Sequence, residues 1–438
     1  MAWRPTRRRM LLAGAALAGM PGALAAAPAR PLHIGAVLPI AGTALPPGRI
    51  NLRPVAEAAR MGLILAEEDM TRNGTLLGLP LALTVTNAPG ADAVARAARR
   101  LVSRSGATIL IGGFTRDEAE ILSQVADETG ALFLNIAAPS DALRHACRPG
   151  TFHVEASAAM YLDALLGWFV RAGHRRWFLV HDDGAEGRAM LDRMTASLTA
   201  RHWGAEVAGT AALRVDDARG FAPALSAIAG SEADVVLLLT DWWTQLEFLS
   251  RYEASGLPAP VTGFPEPATQ TRDFYFAARR AAPVAGCGHR AVLWEATLDA
   301  YGARELNARF DGRWGRPMDP TAWAAYQAVK IAFEASLATG ATQGAALAGH
   351  LAGDRSLFDV SKGIGVTFRP WDHQLRQSLF LARINPDATG SMALGDMLAR
   401  ASLVGELPAI YMPGTDPVER LDQLGDIDPA RTCTRNLP

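Results

Sequence analysis

Short, continuous apolar runs bounded by glycine or proline alternate with stretches of helical periodicity, and the alternation starts twice along the chain. Residues 33–39 read as a buried strand, 53–72 as a helix, 81–87 as a strand, 91–105 as a helix, 108–113 as a strand, 116–128 as a helix and 132–136 as a strand. The series begins again at 177–180, with helices over 187–201, 221–229 and 245–255 and strands over 205–212, 235–240 and 261–263. Strands that show no polar alternation are covered on both faces, and helices between them supply the crossovers that parallel pairing needs. The expected class is α/β, with two doubly wound parallel-sheet lobes. A third section is more helical, over 298–310, 321–339 and 342–351, followed by an expected hairpin of 365–368 with 379–384. Residues 386–438 are rich in Gly, Pro and Asp and are expected to wrap the surface.

The start of the chain reads as an export signal. Thr6-Arg7-Arg8-Arg9-Met10-Leu11 is a twin-arginine stretch followed by an apolar run to Leu24 and an Ala-x-Ala exit at Ala23-Leu24-Ala25. The run is too short and too rich in Ala and Gly for a membrane span of roughly 20 residues. Cleavage is expected near 25–27 and the mature chain in a periplasm, by the twin-arginine route or an ordinary secretory one. Losing Arg4, Arg7, Arg8 and Arg9 moves the formal net charge from -1 to -5, which argues against nucleic-acid and anionic-membrane partners. Of the three cysteines, Cys147 and Cys433 are expected to pair, leaving Cys287 as a thiol, because a long irregular tail gains most from being tied down.

Motifs of catalysis are missing. There is no P-loop, no G-x-G-x-x-G after a strand, no G-x-S-x-G, no H-E-x-x-H and no S-x-x-K. His181-Asp182-Asp183 is dense in titratable groups, but adjacent side chains on an extended backbone point apart, so a metal there is not expected. No enzyme activity, cofactor or metal is expected.

The chemistry that remains sits after strands, where open α/β sheets bind ligands. Gly112-Gly113-Phe114-Thr115-Arg116-Asp117-Glu118 opens a helix and offers free N–H groups to an anion; equally, Thr115 and Glu118 form a T-x-x-E capping box that needs no ligand. Asn135-Ile136-Ala137-Ala138-Pro139-Ser140-Asp141 has small residues that permit close approach, or is a loop alone. In the second series, Glu186, Asp241-Trp242-Trp243 and Phe264-Pro265-Glu266 follow strands. One tryptophan can pack beneath the sheet end while the other covers a ligand.

These segments resemble the type I periplasmic binding proteins, the leucine/isoleucine/valine-binding group of ABC importers, over nearly the whole mature chain. The residues that carry the likeness are 34–42, Gly112-Gly113-Phe114-Thr115, Asn135 to Ser140, and Val180-His181-Asp182-Asp183-Gly184-Ala185-Glu186-Gly187. Residues 175–180, 301–310, 368–377 (Phe368-Arg369-Pro370-Trp371-Asp372-His373-Gln374-Leu375-Arg376-Gln377) and the Cys433 tail are similar to the subgroup tied to the pyrroloquinoline-quinone alcohol dehydrogenase system. The resemblance implies lobe 1 over 28–153 plus 268–355, lobe 2 over 154–267 plus 356–385 and an extension over 386–438. A hinge of three crossings is expected near 152–155, 264–268 and 354–362. It also implies a ligand carboxylate held at Thr115 and Ala137 and a ligand amine held by Asp241 or Glu266. The expected ligand-binding set is Phe114, Thr115, Ala137, Ala138, Ser140, Glu186, Asp241, Trp242 and Glu266. Glu186 stands where many members have Tyr, and Pro139 where Thr is common, so branched-chain amino acids are not expected as ligands. The expected partners of a monomer are a small polar solute, an ABC permease and its ATPase, or, as the rival reading, a quinoprotein dehydrogenase served by an accessory or sensor.

Overall fold

The computed structural model describes residues 31–40, 52–214, 220–353, 356–363, 365–409, 414–428 and 430–433. The expected export segment, Ala41, Gly42 and Asp354 lie outside them. The first lobe runs β1 (Leu32–Leu38), α1 (Arg53–Leu77), β2 (Leu81–Asn87), α2 (Ala91–Ser105), β3 (Ile109–Gly112), α3 (Arg116–Thr129), β4 (Leu132–Asn135), α4 (Asp141–Ala146) and β5 (Thr151–His153). Its strands are parallel in the order β2-β1-β3-β4-β5, with Ile34 opposite Ile109 and Leu110 opposite Phe133. β3 and β4 are buried from end to end, which is why Ile-Leu-Ile-Gly and Leu-Phe-Leu-Asn show no polar alternation.

The second lobe follows with α5 (Ala158–Arg171), β6 (Arg176–Asp182), α6 (Ala185–Arg201), β7 (Glu206–Leu213), α7 (Phe221–Ala229), β8 (Val235–Leu239), α8 (Trp242–Ser255), β9 (Val261–Gly263), α9 (Arg272–Ala281) and β10 (His289–Val292). β6 to β9 form a parallel sheet ordered β7-β6-β8-β9. Helices α10 (Ala303–Trp314), α11 (Pro320–Thr339) and α12 (Gly344–Leu351) return to the first lobe, where α11 lies along α1. The closest approach is at Gly62, where a Cβ would stand 2.0 Å from the Ala322 carbonyl oxygen. The chain ends through β11 (Leu379–Ile384), α13 (Leu394–Leu398), β12 (Ala401–Leu407) and α14 (Pro417–Leu421).

The later part of the chain departs from expectation in four ways, the last being the third crossing, which does not fall at 354–362. Segment 365–368 makes only isolated bridges, and β11 pairs instead with β10 and β12 in an antiparallel sheet ordered β10-β11-β12. The tail therefore contributes a strand, where a surface wrap alone was expected. Further, the chain does not leave the second lobe at 264–268: α9 packs on α8, and β10 lies beside β9 and α5, so residues 272–292 sit with the second lobe and the crossing falls at 293–302.

The third crossing falls at 376–378, after residues 373–375 have lain against β5. His153 donates its amide to the His373 carbonyl at 3.0 Å, and Leu375 to that of His153 at 2.9 Å. Lys362 ties the crossings together. Its Nζ donates to the Leu293 carbonyl at 2.5 Å, Gln377 Oε1 at 2.7 Å and the Ser378 carbonyl at 3.0 Å, and Gln377 Nε2 donates to the Val154 carbonyl at 2.7 Å. Cys147, just past α4, and Cys433 are disulfide-bonded with Cα atoms 5.0 Å apart, and Cys287 is free. Among the described residues no helix is long and apolar enough to cross a membrane.

Candidate functional site

Both lobes turn the carboxyl ends of their strands towards one solvent-open cavity of about 210 Å³. The first-lobe wall begins after β3. Gly113 has φ 85°, and a Cβ there would come within 2.9 Å of the Ala119 Cβ, so only glycine lets this turn press against α3. Thr115 Oγ1 accepts from the Glu118 amide at 3.2 Å, while the Phe114 amide donates to the Glu118 carboxylate at 3.3 Å. Burial pushes the Glu118 carboxyl above its usual range, against the hydrogen bonds it receives. The capping interaction is thus formed, and Phe114, Thr115 and Arg116 line the cavity as well. The two readings of this junction are compatible.

After β4 the loop behaves differently from what the resemblance implies. Asn135 Oδ1 accepts from the amides of Ala137 and Ala138 at 3.3 and 3.0 Å, and Asn135 Nδ2 donates to the Ala138 carbonyl at 2.8 Å. Both alanines are fully buried, so these amides are spent inside the lobe and are not offered to a solute. Pro139, Ser140 and Asp141 do reach the cavity. Arg144, buried on α4, fixes this loop by donating to the carbonyls of Ala138, Ser140 and Glu155 at 2.7, 3.1 and 2.7 Å. Asp141 accepts from the Ala159 amide at 3.1 Å, and burial raises its carboxyl.

The second-lobe wall is acidic. Glu186 in the first turn of α6 and Glu266 after β9 line the cavity directly. Glu266 Oε2 is buried with no partner, and its pKa is pushed up to about 8 by burial and then by Asp241, Asp182 and Glu186, against a hydrogen bond from the Trp242 amide. Asp182 at the end of β6 likewise keeps a buried oxygen without a partner and is raised to about 7 by burial and Asp241. Asp241 and Trp242 stand beside the cavity and do not line it. The Asp241 carboxylate caps α8, accepting from the Thr244 amide at 2.7 Å. Trp242 is half-buried and meets the exposed Trp243 edge to face at 5.5 Å. Among the described residues no group of three or more His, Cys, Asp or Glu is placed to hold a metal.

Leu52, Met190 and Ala158 also line the cavity and escaped the sequence reading. Met190 had a signal, since it lies one turn beyond Glu186 on the same helix face; Leu52 and Ala158 belong to segments whose approach to the cleft depends on tertiary packing. The wall chemistry is lopsided. Asp141, Glu186 and Glu266 line the cavity together with one guanidinium, that of Arg116, and the hydroxyls of Thr115 and Ser140.

A model of the family described as periplasmic binding protein matches residues 31–390. Among solved structures, the chain is similar to a branched-chain amino acid ABC transporter periplasmic ligand-binding protein from Burkholderia xenovorans, with 18% identity, TM-score 0.73, and coverage of 86% of this chain and 95% of that one. It is similar to the branched-chain amino acid transporter substrate-binding protein LivJ from Streptococcus pneumoniae in complex with isoleucine, at 14% identity and TM-score 0.68, covering 86% and 99%. A solute-binding protein of an ABC transporter from R. palustris in complex with benzoate gives 19% identity and TM-score 0.66, covering 88% and 98%. No curated protein sequence matches the chain.

Proposed function

This chain belongs to the periplasmic binding protein family, and from that premise we propose that it is the solute-capturing subunit of an ABC-type importer. It closes two lobes on a small polar solute that carries a cationic or hydrogen-donating end. The observation that carries the reading is Glu266, whose buried Oε2 has no partner at the cavity wall while three further carboxylates crowd it. Ionising Glu266 without a partner is costly, which holds the group protonated up to about pH 8, and a cationic or donating end arriving with the solute would offset that cost. Thr115, Ser140 and Arg116 on the opposite wall suit an accepting or anionic end. Isoleucine and benzoate, held by the two relatives, do not transfer at such low identity; Glu186 and the spent amides of Ala137 and Ala138 argue for a different solute.

The likeness of segments 301–310 and 368–377 to the subgroup tied to the pyrroloquinoline-quinone alcohol dehydrogenase system supports a link between this solute and periplasmic alcohol oxidation, and the twin-arginine stretch at 6–11 supports export by that route. Mass spectrometry of the solute that copurifies with the periplasmic protein, followed by calorimetry with that compound, tests the main reading. An amine or polyol-like donor whose affinity drops at least tenfold in Glu266→Gln supports it. A copurifying carboxylic acid without a donor group, bound equally by both proteins, would refute it. Loss of growth on an alcohol, and on no other carbon source, after deletion of the gene tests the metabolic link.

A further inference from the structure

The tail beyond α14 touches both lobes. On the second lobe, the Gly425 amide donates to Asp163 on α5 at 2.9 Å, and Arg201 on α6 donates to the carbonyls of Gln423 and Gly425 at 3.0 and 3.1 Å. Ahead of the third crossing, Arg369 donates to the carbonyls of Leu421 and Leu424 at 3.0 and 2.6 Å, and Trp371 Nε1 to that of Asp426 at 3.0 Å. On the first lobe, Cys433 is bonded to Cys147 directly after α4. Between these anchors one Asp426 carboxylate reaches both lobes. Oδ2 lies 3.0 Å from His145 Nε2 on α4, and Oδ1 lies 3.3 Å from Arg193 Nη2 on α6.

Those two helices are the facing walls of the cavity. Asp141 and Ala142 line it from α4, and Ala189 and Met190 from α6. His145 and Arg193 each lie about one turn further along the same helix. Drawing the walls apart therefore separates the groups that Asp426 joins. The reach of the tail is limited too: the eight residue steps from Gly425 to Cys433 span at most about 27 Å when fully extended. We propose that residues 421–428 and 430–433 belong to a disulfide-anchored strap across the two lobes, in which Asp426 is a positioning residue for the cavity walls and sets how far the cleft opens.

Small-angle scattering of the dialysed mature chain, with no solute added, tests this. The folded variant Cys147→Ser/Cys433→Ser/Asp426→Asn is expected to show a larger radius of gyration than the oxidised wild type at an unchanged circular dichroism spectrum. Asp426→Glu, with the cysteines intact, is expected to scatter as wild type does, because the charge still reaches both partners. Identical scattering from the triple variant and the wild type would overturn the proposal and leave the tail a mere appendage. Should the serine variants not accumulate, Asp426→Asn purified oxidised and then reduced with a phosphine gives the same reading: expansion supports the strap, and no change overturns it.

Discussion

Glu266 illustrates how a single side chain can be matched to a partner the fold itself does not supply. Its folded pKa near 8 lies above the ordinary 4.5, so the folded chain keeps a proton that the unfolded chain has released. Stability of the solute-free protein should then fall as pH rises from about 4.5 to about 8. Glu266→Gln should flatten that slope and raise stability at pH 8 by on the order of 1 to 3 kcal/mol, read from denaturant midpoints across the pH range; an unaltered slope would place the buried charge elsewhere. Asp241→Ala should behave in the opposite way. It removes the cap of α8 and should cost about 1 kcal/mol in the same assay, so any loss of solute affinity in that variant includes a folding defect. Both acids were visible in the sequence as residues after strands. Which one lines the cavity was not, because a helix cap and a ligand contact require the same residue type at the same place.

At the scale of elements, legibility followed burial pattern. α2 and α7 have the bounds that their sequences imply, since apolar periodicity and flanking glycines mark both ends, and β9 has them because it lies between Pro260 and Pro265. α5 was missed because eleven of its fourteen residues are buried, and a helix without a polar face has no period to read. β10 and β12 were missed because antiparallel partners far apart in sequence leave no local trace. The pairing of α1 with α11 was equally hidden, although Gly62 is where it closes most tightly. Gly62→Val should lose about 3 kcal/mol, since the Ala322 backbone cannot move aside without shifting a buried helix. Thermal unfolding with a wild-type midpoint would mean that the two helices separate more easily than their packing implies.

For the whole molecule, the hinge decides whether two lobes behave as one machine, and its centre is Lys362. The lysine is nearly fully buried, and its Nζ lies 3.9 Å from the centre of the Trp323 ring. Burial pulls its pKa well below the ordinary value, while Glu155 and Glu406 oppose that. Three acceptors surround it, and only the ammonium has three hydrogens to give, so the charged form fits this site. The sequence offered Lys362 as one of only two lysines, with nothing local to connect it to residues 154, 293 and 377, because those crossings meet only once both lobes have formed. Lys362→Met keeps the stem and removes the donors. Eliminating a buried charge recovers some desolvation cost, but three buried acceptors on two crossings then lose their partner at once. The balance should be a loss of about 3 kcal/mol, taking each orphaned acceptor at roughly 1 kcal/mol or more. Hydrogen exchange should locate the damage: amides of 153–155, 293–295 and 375–378 exchange faster, while those of β3 and β8 keep their protection. Uniform acceleration through both sheets would instead make Lys362 a general core residue and remove it from the hinge.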